Sequence, residues 1–209
     1  MKKNKLFQDL FVLDLANNHF GDVKHAERVI TEFGKIREKF KLNACIKFQF
    51  RNLKTFVHPK EIHNKKNKYV QRFLSTELKL EDFVKLKKIS KRYGFSTACT
   101  AFDEDSIGDI EKIKFDFLKI ASVSSNDWNI LERASKNNIP KIISTGGKTI
   151  EEIDKIVSFF NHKKQNFSLM HCISIYPSAN SDMQLNTIKD LKKRYRNLQV
   201  GWSTHEEPE

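Results

Sequence analysis

The chain has 209 residues, 39% of them hydrophobic and 31% charged, with 38 basic residues against 26 acidic ones and a formal net charge of +12. That length sustains one substantial core, and that composition excludes a disordered or low-complexity chain. No apolar run approaches the ~20 residues of a membrane-crossing helix, so a membrane-spanning function is excluded as well.

The N-terminus opens basic and then apolar, as a leader peptide does. Gln8, Asp9 and Asp14 break the apolar run and no small-residue cleavage site follows, so a cytoplasmic protein is expected. From there, short apolar runs alternate with amphipathic stretches. The runs cover residues 11–15, 44–50, 94–99, 117–120, 141–144, 167–172 and 199–202, and each is apolar on both faces, as buried parallel strands are. Between them, 23–40 places Ala26, Val29, Ile30, Phe33 and Ile36 on one helical face, and 80–93 does the same with Phe83, Val84, Leu86 and Ile89. Further helices are predicted at 105–113, 129–137, 149–160 and 185–195. Asp127 and Thr149 read as N-caps, the latter with Glu152 completing a capping box. No linker or shift in composition divides residues 1–209, so one domain is expected.

Strand and helix in repeated alternation indicate an α/β fold with a parallel sheet, either doubly wound or a (β/α)8 TIM barrel. The polar residues favour the barrel. Nearly every predicted strand ends in a cluster of functional residue types: Asn17-Asn18-His19, Lys47-Phe48-Gln49, Thr100 to Asp103, Lys119 to Ser122, Ser144 to Gly147, His171-Cys172 and Ser203-Thr204-His205. A barrel gathers all its strand ends around one axis, whereas a doubly wound sheet uses mainly those at its switch point.

Lys47 and Lys119 are the sharpest signals, since a lysine inside an otherwise apolar strand must face a polar cavity or a partner. With Thr100, Ser122 and Ser144 at the same level, they describe a receptor for phosphate or carboxylate. His171 and His205, at the ends of successive strands, could share a divalent metal or be ordinary hydrogen-bonding residues. Asp14, between Leu13 and Leu15, reads as a buried carboxylate needing a cation or a proton, and is a candidate acid/base. His58, His63 and His162 fall in polar stretches and read as exposed. Cys45, Cys99 and Cys172 are widely spaced with no C-x-x-C pair, so they read as buried small hydrophobes. The lysines are spread over nearly every helix, which fits solvated faces better than a nucleic-acid patch.

In this order, VLDLANNHFGD, CIKFQ, CTAFDE, FLKIAS, IISTGG, LMHCISIYPS and VGWSTHE resemble the N-acetylneuraminate (sialic acid) synthase family. The resemblance implies a barrel that adds phosphoenolpyruvate to the open-chain aldehyde of an N-acylated amino sugar, N-acetylmannosamine or a modified hexosamine, and releases phosphate. It implies that Lys47, Thr100, Lys119, Ser122 and Ser144 hold phosphoenolpyruvate, with Gln49 beside it. It further implies that His171 and His205 bind Mn2+ or Mg2+, that Asn126 and Tyr176 border the sugar, and that the full-length form is a homodimer. Nucleic acid and membrane are not expected as partners.

The chain departs from the family pattern at four places. Asp14 stands where a glutamate is usual, and Val123-Ser124 replaces Gly-Glu, removing a carboxylate that reaches the sugar. Lys148 follows STGG in place of a small polar residue. The eighth strand and the C-terminal antifreeze-protein-like domain are expected beyond Glu209, so the competing expectation is a truncated, non-catalytic remnant or one part of a split enzyme.

Overall fold

The computed structural model describes residues 5–206; Met1 to Asn4, the basic start of the leader-like stretch, and residues 207–209 lie outside the described residues. The chain forms two compact units, one of Asp9–Asp116 and the other of Phe117–Glu209 with Met1–Gln8.

In the first unit, strands β1 (Phe11–Asp14), β2 (Ala44–Phe50) and β3 (Ser96–Ala101) run parallel in sequence order. Helix α1 (Val23–Phe40) connects the first two, starting at Asp22, whose carboxylate accepts the Lys24 amide at 2.7 Å. Two short helices, α2 (Leu53–Phe56) and α3 (Lys68–Ser75), precede α4 (Leu80–Arg92), and α5 (Glu104–Ile113) follows β3. Helices α2 and α3 lie where the sequence gives too few turns for a periodicity to be read. They are held by tertiary contact, Phe56 meeting Phe73 at 5.8 Å between ring centroids. Strand β3 begins two residues later than expected because Gly94, at φ +74°, reverses the chain after α4. Thr100 therefore lies inside the strand and not past its end.

The alternation along β2 sorts the residues of this unit. Phe48 and Phe50 project to one face and pack against Phe83 of α4, at 6.1 and 4.4 Å, and against Phe115, at 5.7 Å each. Lys47 and Gln49 project to the other face. The register pairs Asp14 with Lys47 and Gln49 with Thr100, so all four share that second face.

In the second unit, β4 (Phe117–Ile120), β5 (Lys141–Ser144), β6 (Phe167–Cys172) and β7 (Val200–Ser203) are again parallel and in sequence order. Helices α6 (Trp128–Ser135), α7 (Ile150–His162) and α8 (Asn186–Arg194) intervene. Both predicted N-caps form: Asp127 accepts from Asn129 and Ile130, and Thr149 with Glu152 closes a reciprocal capping box. Ile130, Leu131, Ile153, Ile156, Phe160 and Leu191 bury the inner helix faces. Lys141, fully buried at the start of β5, is satisfied by the Asn137 carbonyl at 2.6 Å and by Gln165. In neither unit does the strand order reverse, as a doubly wound sheet requires at its switch point.

Candidate active site

At the carboxyl ends of β1 to β3, Lys47 is nine-tenths buried and its ammonium meets the Asp14 carboxylate at 2.6 Å. Asp14 is not the buried carboxylate expected: its side chain is 42% exposed, because β1 ends there and the chain turns away. It nevertheless finds the cation that the sequence called for. The Thr100 hydroxyl is buried without a hydrogen-bond partner among the described residues. A buried hydroxyl costs free energy unless paired, so this atom marks a place where a ligand oxygen would be welcome.

Three further groups lie near the carboxyl end of β2, His19 among them with its ring edge-on to Phe83 at 6.5 Å. Gln49 accepts a hydrogen bond from the Arg51 guanidinium at 2.8 Å. Burial pushes the Arg51 pKa down to about 10, against the opposing pull of Asp14. His19 is buried, and burial, with some repulsion from His25, keeps it below the usual imidazole value and therefore neutral. Its Nδ1 accepts the Gly21 amide at 3.1 Å. Asn17, His19, Gln49 and Arg51 all line one cavity of about 480 Å3. Arg51 was not singled out from the sequence; a charged residue just past a strand end, among aromatics, was the signal available.

At the ends of β4 to β7, Lys119 is buried and donates to the Ile120 carbonyl at 3.1 Å and, in a close contact, to the Ser144 hydroxyl. Ser122 lies just past β4, and its hydroxyl accepts the Gly146 amide at 3.0 Å. Gly146 is needed for close approach: a Cβ there would sit 2.8 Å from the Ser122 Oγ and 3.1 Å from the Cys172 carbonyl. Lys119, Ser122, Ser144 and the Gly146 backbone thus form one buried cluster of an ammonium, hydroxyls and a strand-to-helix turn. Asn126 is exposed in the loop before α6. Tyr176, 67% exposed, lies with its ring 4.2 Å from that of His205. Ser124, in the place of the expected glutamate, is buried.

One ring nitrogen of His171 is engaged within the second unit. In register, Ser144 pairs with Met170 and Met170 with Gly201, while His171 pairs with Trp202. Successive residues of a strand point to opposite faces, so His171 projects away from the face that carries Ser144. Its Nε2 lies 2.8 Å from the Met183 carbonyl, an acceptor only, so this nitrogen carries a proton and has no lone pair for a metal. Among the described residues, no group of three or more His, Cys, Asp or Glu is placed to hold a metal ion. With its proton on Nε2, the His171 ring keeps its lone pair on Nδ1, the nitrogen through which a metal would be bound.

The three cysteines are buried, as expected. Burial pushes Cys45 and Cys99 well up, and all three cysteines are free and buried. His58, His63 and His162 are exposed. Among the described residues, no helix is long and apolar enough to cross a membrane.

The NeuB family profile matches residues 39–208. The chain is 28% identical over 211 residues to N-acetylneuraminate-9-phosphate synthase of Drosophila melanogaster, covering 97% of this chain and 55% of that enzyme. It is similar to a crystal structure from Chromobacterium violaceum assigned to spore coat polysaccharide biosynthesis protein E. That match has 39% identity and a TM-score of 0.93, over 96% of this chain and 60% of the other. It is also similar to N-acetylneuraminic acid (sialic acid) synthetase of Leptospira borgpetersenii in complex with citrate. Here identity is 32% and the TM-score 0.82, over 95% and 65% of the two chains. The fold is accordingly of the (β/α) barrel type, and the chain spans about half the length of the Drosophila enzyme it matches.

Proposed function

Because the chain belongs to the NeuB family, matched over residues 39–208, we propose that it condenses phosphoenolpyruvate with the open-chain aldehyde of an N-acylated amino sugar. The products are a sialic-acid-like nonulosonate and inorganic phosphate. The observation that supports this reading is the buried Lys119 ammonium on Ser144, beside Ser122 and the Gly146 turn. An ammonium in such a place is stabilised by an anion, and phosphoenolpyruvate carries two anionic groups.

In the second unit, Lys119, Ser122 and Ser144 offer an ammonium and hydroxyls to an anionic group of the substrate; in the first, Lys47 and Thr100 offer the same kinds of group. The enol C3 forms a bond to the aldehyde carbon while the aldehyde oxygen takes up a proton. Water adds to C2, whose bond to the phosphate oxygen then breaks, so phosphate departs with that oxygen. Positive charge that develops at C2 is offset by the substrate's own carboxylate and phosphate. Asp14, paired with Lys47, holds that ammonium in place and is the carboxylate available for proton transfer. Gln49 lies beside the phosphoenolpyruvate, and Asn126 and Tyr176 border the sugar. Ser124 removes a charge from the sugar's surroundings and favours a modified hexosamine over N-acetylmannosamine itself. Mn2+ or Mg2+, which His171 and His205 would hold, would polarise the aldehyde oxygen. The same reading puts the enzyme in the cytoplasm and its full-length form in a homodimer.

Phosphate release from phosphoenolpyruvate, measured with Mn2+ and a panel of N-acyl hexosamines, tests the reading. Release dependent on one or more sugars is expected; none with any member would overturn it.

A further inference from the structure

Arg51 sits two residues past Gln49 on the same edge of β2, at the mouth of the cavity of about 480 Å3 in the first unit. Its guanidinium carbon lies 4.0 Å from the centre of the Phe102 ring and 4.5 Å from that of Phe73, with Phe56 at 5.8 Å. Stacking between two phenyl faces fixes the plane of the guanidinium, which an ammonium on a flexible stem cannot reproduce. Its Nε is buried with no partner among the described residues, so the group is held by its rings and not by a web of acceptors. From that fixed plane, one terminal nitrogen donates to the Gln49 Oε1 at 2.8 Å.

The consequence is chemical. A guanidinium only donates, so the oxygen of the Gln49 carboxamide must face it, and the NH2 group must face the other way. That NH2 has no other hydrogen bond among the described residues, and Gln49 lines the cavity. His19 is fixed by the same logic: Nδ1 accepts the Gly21 amide, so the neutral ring carries its proton on Nε2. Gln49 and His19, both lining this cavity, are therefore set as donors.

We propose that Arg51 is a positioning residue that locks the Gln49 carboxamide with its NH2 toward the cavity, so that this face recognises a carbonyl or hydroxyl oxygen of the acceptor sugar. This rests on the reading of the acceptor as an N-acylated amino sugar, whose amide carbonyl and hydroxyls are such oxygens. Arg51 acts through Gln49 and touches no reacting atom.

The first test needs no ligand. In spectra of the 15N-labelled chain, the Gln49 side-chain amide pair, identified by its loss in Gln49→Met, is expected to be dispersed and ordered. In Arg51→Lys it should collapse to the position of a free carboxamide. An unchanged pair overturns the proposal. Should Arg51→Lys fail to fold, Phe102→Leu removes one of the stacking faces and gives the same readout.

The second test is calorimetric titration with the members of the N-acyl hexosamine panel, each variant being compared on the member that the unsubstituted chain binds most tightly. Arg51→Lys and Gln49→Met are each expected to bind about tenfold more weakly, the equivalent of one hydrogen bond, and the double variant no more weakly than Gln49→Met. Additive losses would mean that Arg51 does not work through Gln49. No binding of any member by the unsubstituted chain would overturn the assignment of the cavity to an N-acylated amino sugar. Phosphate release keeps the two readings apart. Turnover by the unsubstituted chain with an unchanged amide pair in Arg51→Lys removes only the role of Arg51. A collapsed pair without turnover of any sugar removes the synthase reading and leaves the positioning role standing.

Discussion

Adding one methyl group at Gly146 should dismantle the buried cluster of Lys119, Ser122 and Ser144 in the second unit. The built Cβ lies 2.8 Å from the Ser122 hydroxyl and closer still to that of Ser174, and 3.1 Å from the Cys172 carbonyl, where real Cβ atoms essentially never come below 3.0 Å. The hydroxyls can rotate, but the Cys172 carbonyl belongs to β6 and cannot. Rotating Ser122 away breaks the hydrogen bond that its oxygen accepts from the Gly146 amide, leaving a buried donor unpaired. Overpacking of this kind costs about 1–3 kcal/mol and an orphaned buried amide about 1–3 kcal/mol; because the two relieve each other in part, we expect about 2–4 kcal/mol. Urea unfolding of Gly146→Ala reads this as a fall in the midpoint at unchanged slope. Calorimetric titration with phosphoenolpyruvate should show affinity weakened at least tenfold. The neighbouring Gly147 is the control: its φ of +68° disfavours any side chain, but nothing lies within 4 Å of its Cβ. Gly147→Ala should cost only the left-handed backbone penalty of about 1–2 kcal/mol and leave the affinity alone. If Gly146→Ala is as stable as the unsubstituted chain and binds phosphoenolpyruvate equally, close approach at this turn is not what holds Ser122.

Three further outcomes are expected. His171 anchors the loop after β6 through the Met183 carbonyl, so His171→Phe should speed protease cleavage between residues 173 and 187; unchanged cleavage there would refute the anchor. The Asp116 carboxylate accepts the Thr97 amide and hydroxyl at 2.7 Å each and pairs with Lys91. Burial alone would raise its pKa, but the hydrogen bonds from Lys91 and Thr97 outweigh it and hold the carboxyl below the usual range. Its contribution to stability is thus present above the unfolded value of about 4 and lost as pH falls through the lower folded value. Asp116→Asn should cost about 1–2 kcal/mol at neutral pH, mainly through Thr97 because the Lys91 pair is partly exposed, and should flatten the acid limb of the stability curve. Equal acid limbs would refute it. Finally, Cys45 and Cys99 should resist a thiol reagent until the chain unfolds, because burial keeps both thiols protonated. Labelling of either in the folded chain at the rate of a free thiol would contradict this.

What could be read from the sequence was whatever depends on one residue's position in a repeating pattern. Lys47 and Lys119 stood out because an ammonium in an apolar strand needs a polar partner, and each has one, in Asp14 and in Ser144. The capping box at Thr149 and Glu152 was equally legible, being written in four consecutive residues. Lys141 marks the limit of that logic: it is as apolar in its surroundings as the other two lysines, yet its end of the strand meets Asn137 and Gln165 and no site. The fate of His171 depended on register, since a shift of one residue exchanges the faces of a strand, and sequence alone does not fix register. The burial of Asp14 depended on where β1 stops, and the role of Arg51 on two phenylalanines, Phe73 and Phe102, from other elements. Pattern decides which residues belong in strands and helices, because the hydrophobic effect acts on each element's own periodicity. Which side chains meet is decided only when separate elements pack, and that is a property of the tertiary structure.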